Sequence, residues 1–210
     1  ITVSGSGEAA GILLVGASVD KGLTNDGSIK LNIDKHEAAG IQLSGSFEES
    51  QDQSGNLIIG NQTEESLITG NLTNNGTLEV TGSGEKVSIL VEEGSNLDGD
   101  LRNKGSITVN TTLDSTFNTE RDDGSAGILV FDAQLDGNVL NSGTIKVTSN
   151  SDAAGIQILD NVLSQTNIVN TGEVNVSGKQ AFGIDLSEVT AESVDNQGTI
   201  KVNATEYSRG

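Results

Sequence analysis

The chain contains no cysteine, proline, methionine or tryptophan, and its aromatics amount to one tyrosine and four phenylalanines. Lacking cysteine, it has no disulfides, no thiol nucleophile and no thiolate metal site. A single histidine, His36, rules out a multi-histidine zinc site and reads as a corner residue. Basic residues are scarce: 11 against 30 acidic ones give a net charge of -19. Such a surface repels phosphate backbones and anionic lipid, so nucleic acid is not an expected partner. No apolar stretch approaches the roughly 20 residues of a membrane helix, so direct membrane insertion of this segment is not expected, and no basic-then-apolar start marks a signal peptide. The opening Ile1-Thr2-Val3 reads as the end of a repeat phrase, so the chain is expected to be a piece of something longer.

What is present is a phrase, N-x-G-(S/T)-(I/L)-x-(V/L), written at Asn25-Asp26-Gly27-Ser28-Ile29, Asn74-Asn75-Gly76-Thr77-Leu78, Asn103-Lys104-Gly105-Ser106-Ile107, Asn141-Ser142-Gly143-Thr144-Ile145 and Asn196-Gln197-Gly198-Thr199-Ile200. Asn170-Thr171-Gly172-Glu173-Val174 is a variant of it. Taking Ile1 and Leu57 as further starts, the phrase returns roughly every 28 residues, the signature of a solenoid. Although 27 glycines and 33 % hydrophobic residues fit a disordered chain by composition, the apolar residues fall at regular strand positions. Ile145 in, Lys146 out, Val147 in is the period of a strand.

A second phrase follows each first one: Ala10-Gly11-Ile12, Ala39-Gly40-Ile41, Val87-Ser88-Ile89, Ala126-Gly127-Ile128, Ala154-Gly155-Ile156 and Phe182-Gly183-Ile184. A third, shorter one precedes each asparagine, as in Leu72-Thr73-Asn74 and Leu101-Arg102-Asn103. Three strands per repeat with no helical period predict an all-β fold, a parallel β-helix (β-solenoid) of about seven coils. Parallel crossovers make it right-handed. One domain spans residues 1–210, with a loop insertion at about 111–124.

The asparagine of each phrase points inward, so Asn25, Asn74, Asn103, Asn141, Asn170 and Asn196 are expected to stack as a structural ladder, each amide satisfied by the next coil. Gln53 stands at the equivalent place before Gly55 and either patches or breaks it. The step from Leu57 to Leu78 is short, about 21 residues, and Ser66-Leu67-Ile68 takes the place of the second phrase there. The insertion holds Phe117, Glu120, Arg121, Asp122 and Asp123. These residues are a candidate binding loop, with a divalent cation such as Ca2+ conceivable on the carboxylates. Alternatively the loop is solvated and its Phe117 covers outward Leu90 and Leu129 on the wall beside it. No calcium-repeat, phosphate-loop or nucleophile-elbow motif is present, so no cofactor is expected. The outward first-strand row, Thr2, Lys30, Ile58, Glu79, Thr108, Lys146, Asn175 and Lys201, assembles no catalytic set, and no catalytic residue is assigned.

The two alternating phrases, N-x-G-T-I-x-V and A-G-I-x-(L/V), resemble the passenger regions of bacterial autotransporters and related type V secreted surface proteins, over nearly the whole chain from Ile1 to Val202. That resemblance implies an extracellular or bacterial cell-surface location and a structural or adhesive role. The module would be a rigid stalk displaying loops or a distal tip toward a host-surface, glycan or neighbouring-cell ligand. Alternatives are a filament or surface-layer subunit that self-associates through its end coils, and a polysaccharide-acting β-helix enzyme, which the scarcity of aromatics and the acidic surface disfavour.

Overall fold

Alternation of side chains along Ser28–Ile33 is exposed, buried, exposed, buried, exposed, buried, with Ile29, Leu31 and Ile33 inside. Six further strands of the computed structural model continue that arrangement in parallel register. The structure describes residues 1–51, 57–112, 124–160, 162–163 and 166–209. On this first face Thr2–Gly5, Ser28–Ile33, Thr77–Ser83, Ser106–Thr112, Thr144–Ser149, the start of Glu173–Ser187 and Thr199–Arg209 lie side by side. Ile29, Leu78, Ile107, Ile145, Val174 and Ile200 form one interior row across it.

The second phrase makes a second face from Ala9–Val15, Ala38–Ser44, Lys86–Val91, Ser125–Phe131, Ala153–Leu159 and the end of Glu173–Ser187. Because Glu173–Ser187 runs through the corner unbroken, both faces belong to one 12-stranded sheet. A third face of six parallel strands carries the asparagines: Leu23–Asn25, Leu72–Asn74, Leu101–Asn103, Val139–Asn141, Asn167–Asn170 and Ser193–Asn196. Among the described residues there is no helix, and the fold is a solenoid of parallel strands. Interior rows Ile41–Ile89–Ile128–Ile156 and Leu72–Leu101–Val139–Ile168 are fully buried, each such side chain contributing about 1.5–3 kcal/mol of transfer free energy.

Three expectations require correction: three strands per repeat, Ser66-Leu67-Ile68 in the place of the second phrase, and Leu57 as the start of a first strand. Between the second and third faces runs a fourth stack, of five short strands: Ser18–Val19, Ser66–Thr69, Ser95–Asp98, Gln134–Leu135 and Val162–Leu163. The glycines that follow two of these strands, Gly70 (φ 106°) and Gly99 (φ 153°), turn the chain sharply and separate this stack from the third face. Ser66-Leu67-Ile68 belongs here, paired with Ser95–Asp98, and does not substitute for the second phrase. Leu57 starts no first-face strand: Leu57–Glu64 pairs antiparallel with Ser46–Gln51 in a hairpin outside the parallel stack. Ser28–Ile33 pairs directly with Thr77–Ser83, so the hairpin is inserted between two adjacent strands. Ser66 Oγ donates to Ser44 O at 2.6 Å, which places the roots of the hairpin side by side.

Candidate functional site

The inward asparagines form a continuous chain of side-chain hydrogen bonds. Asn25 Nδ2 donates to Asn74 Oδ1 (2.8 Å), Asn74 to Asn103 (2.9 Å), Asn103 to Asn141 (2.8 Å), Asn141 to Asn170 (2.7 Å) and Asn170 to Asn196 (2.7 Å). All donors point the same way along the stack, an arrangement that lets neighbouring amides polarise one another. The ladder passes from Asn25 straight to Asn74; Gln53 lies outside the described residues. Every turn glycine after Gly27 is fixed by close approach: a Cβ on Gly76, Gly105, Gly143, Gly172 or Gly198 would sit 1.9–2.1 Å from the carbonyl oxygen of the glycine before it in the stack.

A second polar ladder, which the phrase-by-phrase reading missed, runs along the corner entering the third face. Asn71, Asp100, Asn138 and Asn167 each precede the buried apolar residue of a third-face strand, and Ser193 precedes the exposed Val194 at the end of the stack. Asp100 N donates to Asn71 Oδ1 (2.9 Å), Asn138 N to Asp100 Oδ1 (2.8 Å) and Asn167 N to Asn138 Oδ1 (3.0 Å). Its sequence signal is an Asx or Ser three residues before every ladder asparagine except Asn25, which has Gly22 there; Asn71-Leu72-Thr73-Asn74 is one example. Burial pushes the Asp100 carboxyl up, but hydrogen bonds from Arg102 and Asn138 outweigh it and hold the group below its usual range.

Asp100 also orients a surface cation. Arg102 Nε donates to Asp100 Oδ2 at 3.1 Å and Nη2 donates to the same oxygen. Across the outer side of the third face Arg102 is followed in register by Leu140, Val169 and Asp195. In the adjoining turn Lys104, Ser142 and Thr171 take equivalent places, each backbone N–H donating to the previous ladder asparagine's carbonyl. Arg102, Lys104, Leu140, Ser142, Val169 and Thr171 line an open groove of about 240 Å³.

At the corner between first and second faces, Lys86 is fully buried where neighbouring strands carry Ala38 or Ser125. Its ammonium donates to His36 O (2.6 Å), Ser83 O (2.6 Å) and Glu85 O (3.1 Å), tying two successive corners together. Burial lowers its pKa to about 8, against the opposing pull of Asp34, Glu85 and Glu37. His36 thus contributes its carbonyl to this corner.

Lys30, Glu79, Thr108, Lys146, Asn175 and Lys201 share one outward first-face row, whereas Ile58 lies in the hairpin. Lys30 pairs with Glu79 at 2.8 Å and Lys201 with Glu173 at 3.3 Å, both exposed pairs of little energetic weight. Phe117, Glu120, Arg121, Asp122 and Asp123 lie outside the described residues. Leu90 and Leu129 are buried in a second apolar cluster with Ala39, Val87, Ala126, Ala154 and Leu159. Among the described residues no group of three or more His, Asp or Glu is placed to hold a metal ion, and no helix is long and apolar enough to cross a membrane. No protein-family model, curated protein or solved structure matches this chain.

Proposed function

We propose that this chain is the shaft of an extracellular surface protein, a right-handed β-helix of about seven coils that holds its lateral elements away from a bacterial cell, as passenger segments of autotransporters do. The observation that supports this reading is the pair of polar ladders running the length of a solid apolar interior, with the hairpin of residues 46–64 leaving from one corner. Every inward polar group in these ladders is tied to the strand above or below, so bending the shaft breaks several hydrogen bonds at once. The interior is filled with side chains, and the role that follows is structural and adhesive; chemistry is not assigned to it. Acidic charge keeps such a shaft soluble and separated from anionic envelopes.

The test is protease shaving of intact cells that produce the full gene product, followed by immunoblotting with antibodies to this segment. Loss of the signal from intact cells, with a cytosolic marker protected, supports the surface location. Retention of the segment until lysis overturns it.

A further inference from the structure

The groove on the outer side of the third face combines an oriented guanidinium, an exposed lysine and an aliphatic floor. Arg102 is about one-third exposed (33 %), and its guanidinium is held by Asp100, which is 16 % exposed. Asp100 in turn is fixed at its other oxygen by Asn138, through N at 2.8 Å and Nδ2 at 3.0 Å. Arg102 spends two of its five N–H donors on this carboxylate, which orients the planar group without exhausting it. The Asp100–Arg102 pair is neutral as a unit, and Lys104 supplies the net charge: it is exposed and forms no ion pair among the described residues.

Beyond the cations the floor turns aliphatic. Leu140 and Val169 are half-buried on the next two strands, at positions where earlier strands carry Thr24 and Thr73. Ser142 and Thr171 flank them with hydroxyls. Asp195 closes the row, three strand spacings or roughly 14 Å from Arg102. A negative group is therefore drawn to one end of the groove and repelled from the other, so an occupant has a fixed direction.

We propose that this groove binds a carboxylate carried on a branched aliphatic body, as presented by a C-terminal leucine-type residue of a partner polypeptide. The oriented guanidinium and Lys104 take the carboxylate, and Leu140 and Val169 take the side chain. An acidic sugar fits less well, because among the described residues no aromatic side chain lines the groove to stack on a pyranose ring. This gives the adhesive reading a class of partner and rests on that reading for its biological setting. Binding itself is measured on the purified chain, so its failure leaves the surface location untouched.

The probe is N-acetyl-L-leucine, titrated into the isotopically labelled protein while the methyl resonances of Leu140 and Val169 are followed by NMR. N-acetyl-L-leucinamide and D-glucuronate serve as comparisons. Saturable shifts at both residues with a millimolar Kd are expected, weakened at least tenfold for the amide and by added salt. Lys104→Gln, on an exposed side chain, should weaken binding several-fold with an unchanged melting curve, and Arg102→Gln should abolish it. Equal shifts with the amide, or no saturable shift up to about 50 mM, overturn the proposal. Tighter binding of glucuronate overturns it in favour of an acidic carbohydrate.

Discussion

Replacing Gly105 with alanine tests the packing of the turn directly. The glycine is not in the left-handed region, so alanine meets no intrinsic conformational penalty there. Its cost comes from the neighbouring turn: an added Cβ would lie 2.0 Å from Gly76 O and 2.7 Å from the carbonyl carbon and oxygen of Asn75. Ordinary contact requires about 3.4 Å or more, so the turns must separate by more than an ångström. They are held by Lys104 N and Gly105 N on Asn74 O, at 2.8 and 3.0 Å, and by Ser106 N on Gly76 O at 2.9 Å. Overpacking of about 1–3 kcal/mol plus weakening of two or three bonds, each worth about 1 kcal/mol, gives a loss of about 4 kcal/mol. For a chain of this size that corresponds to a melting temperature lower by roughly 10 °C. Gly27 supplies the control, since a Cβ there meets nothing closer than Asn25 Oδ1 at 4.0 Å. Gly27→Ala should change stability by less than about 0.5 kcal/mol. Circular dichroism melts of both variants decide the matter. An equal drop in both would mean that the turn needs glycine for its backbone conformation, and no drop in Gly105→Ala would mean that the stack yields.

Asn141→Ala leaves Asn103 Nδ2 and Asn170 Oδ1 without their ladder partners inside the protein and should cost about 2–4 kcal/mol in urea unfolding, whereas Asn196→Ala, at an exposed position, should cost less than about 1 kcal/mol. Lys86 has a lowered folded-state pKa of about 8, against 10.5 for the free side chain, so between those values the unfolded chain binds a proton that the native state has released. Stability should accordingly rise with pH across that window, by an amount on the order of 2–3 kcal/mol; urea midpoints that climb equally in Lys86→Met would refute the assignment. Excising residues 46–64, so that Gly45 joins Glu65, should leave the melting temperature within a few degrees, because the roots of the hairpin already lie at hydrogen-bonding distance. Loss of the cooperative transition would show that the hairpin supports the stack.

Local alternation was enough to identify the strands and their inward rows, since Ile29-Lys30-Leu31 and Ile145-Lys146-Val147 carry the information in adjacent residues. The ladder asparagines and turn glycines were legible for the same reason, as a phrase repeated whole. Pairing is a different kind of information. Gln53-Ser54-Gly55-Asn56-Leu57 imitates the phrase, yet Leu57 lies in an antiparallel hairpin and Ile29 pairs with Leu78, 49 residues away. The strands of the fourth stack, two or four residues long, are too short to show a period. Lys86 looks like a surface residue until successive corners close over it, and its carbonyl partners include one from a different repeat. Asp100, Arg102, Leu140 and Val169 are unremarkable in three separate stretches of chain; only parallel register places them across one groove. What the sequence by itself determined is which residues alternate and turn, because those choices depend on neighbours along the backbone. Which strand lies beside which, and therefore which outward side chains meet, was decided by the tertiary stack, where backbone hydrogen bonds between distant repeats set the register.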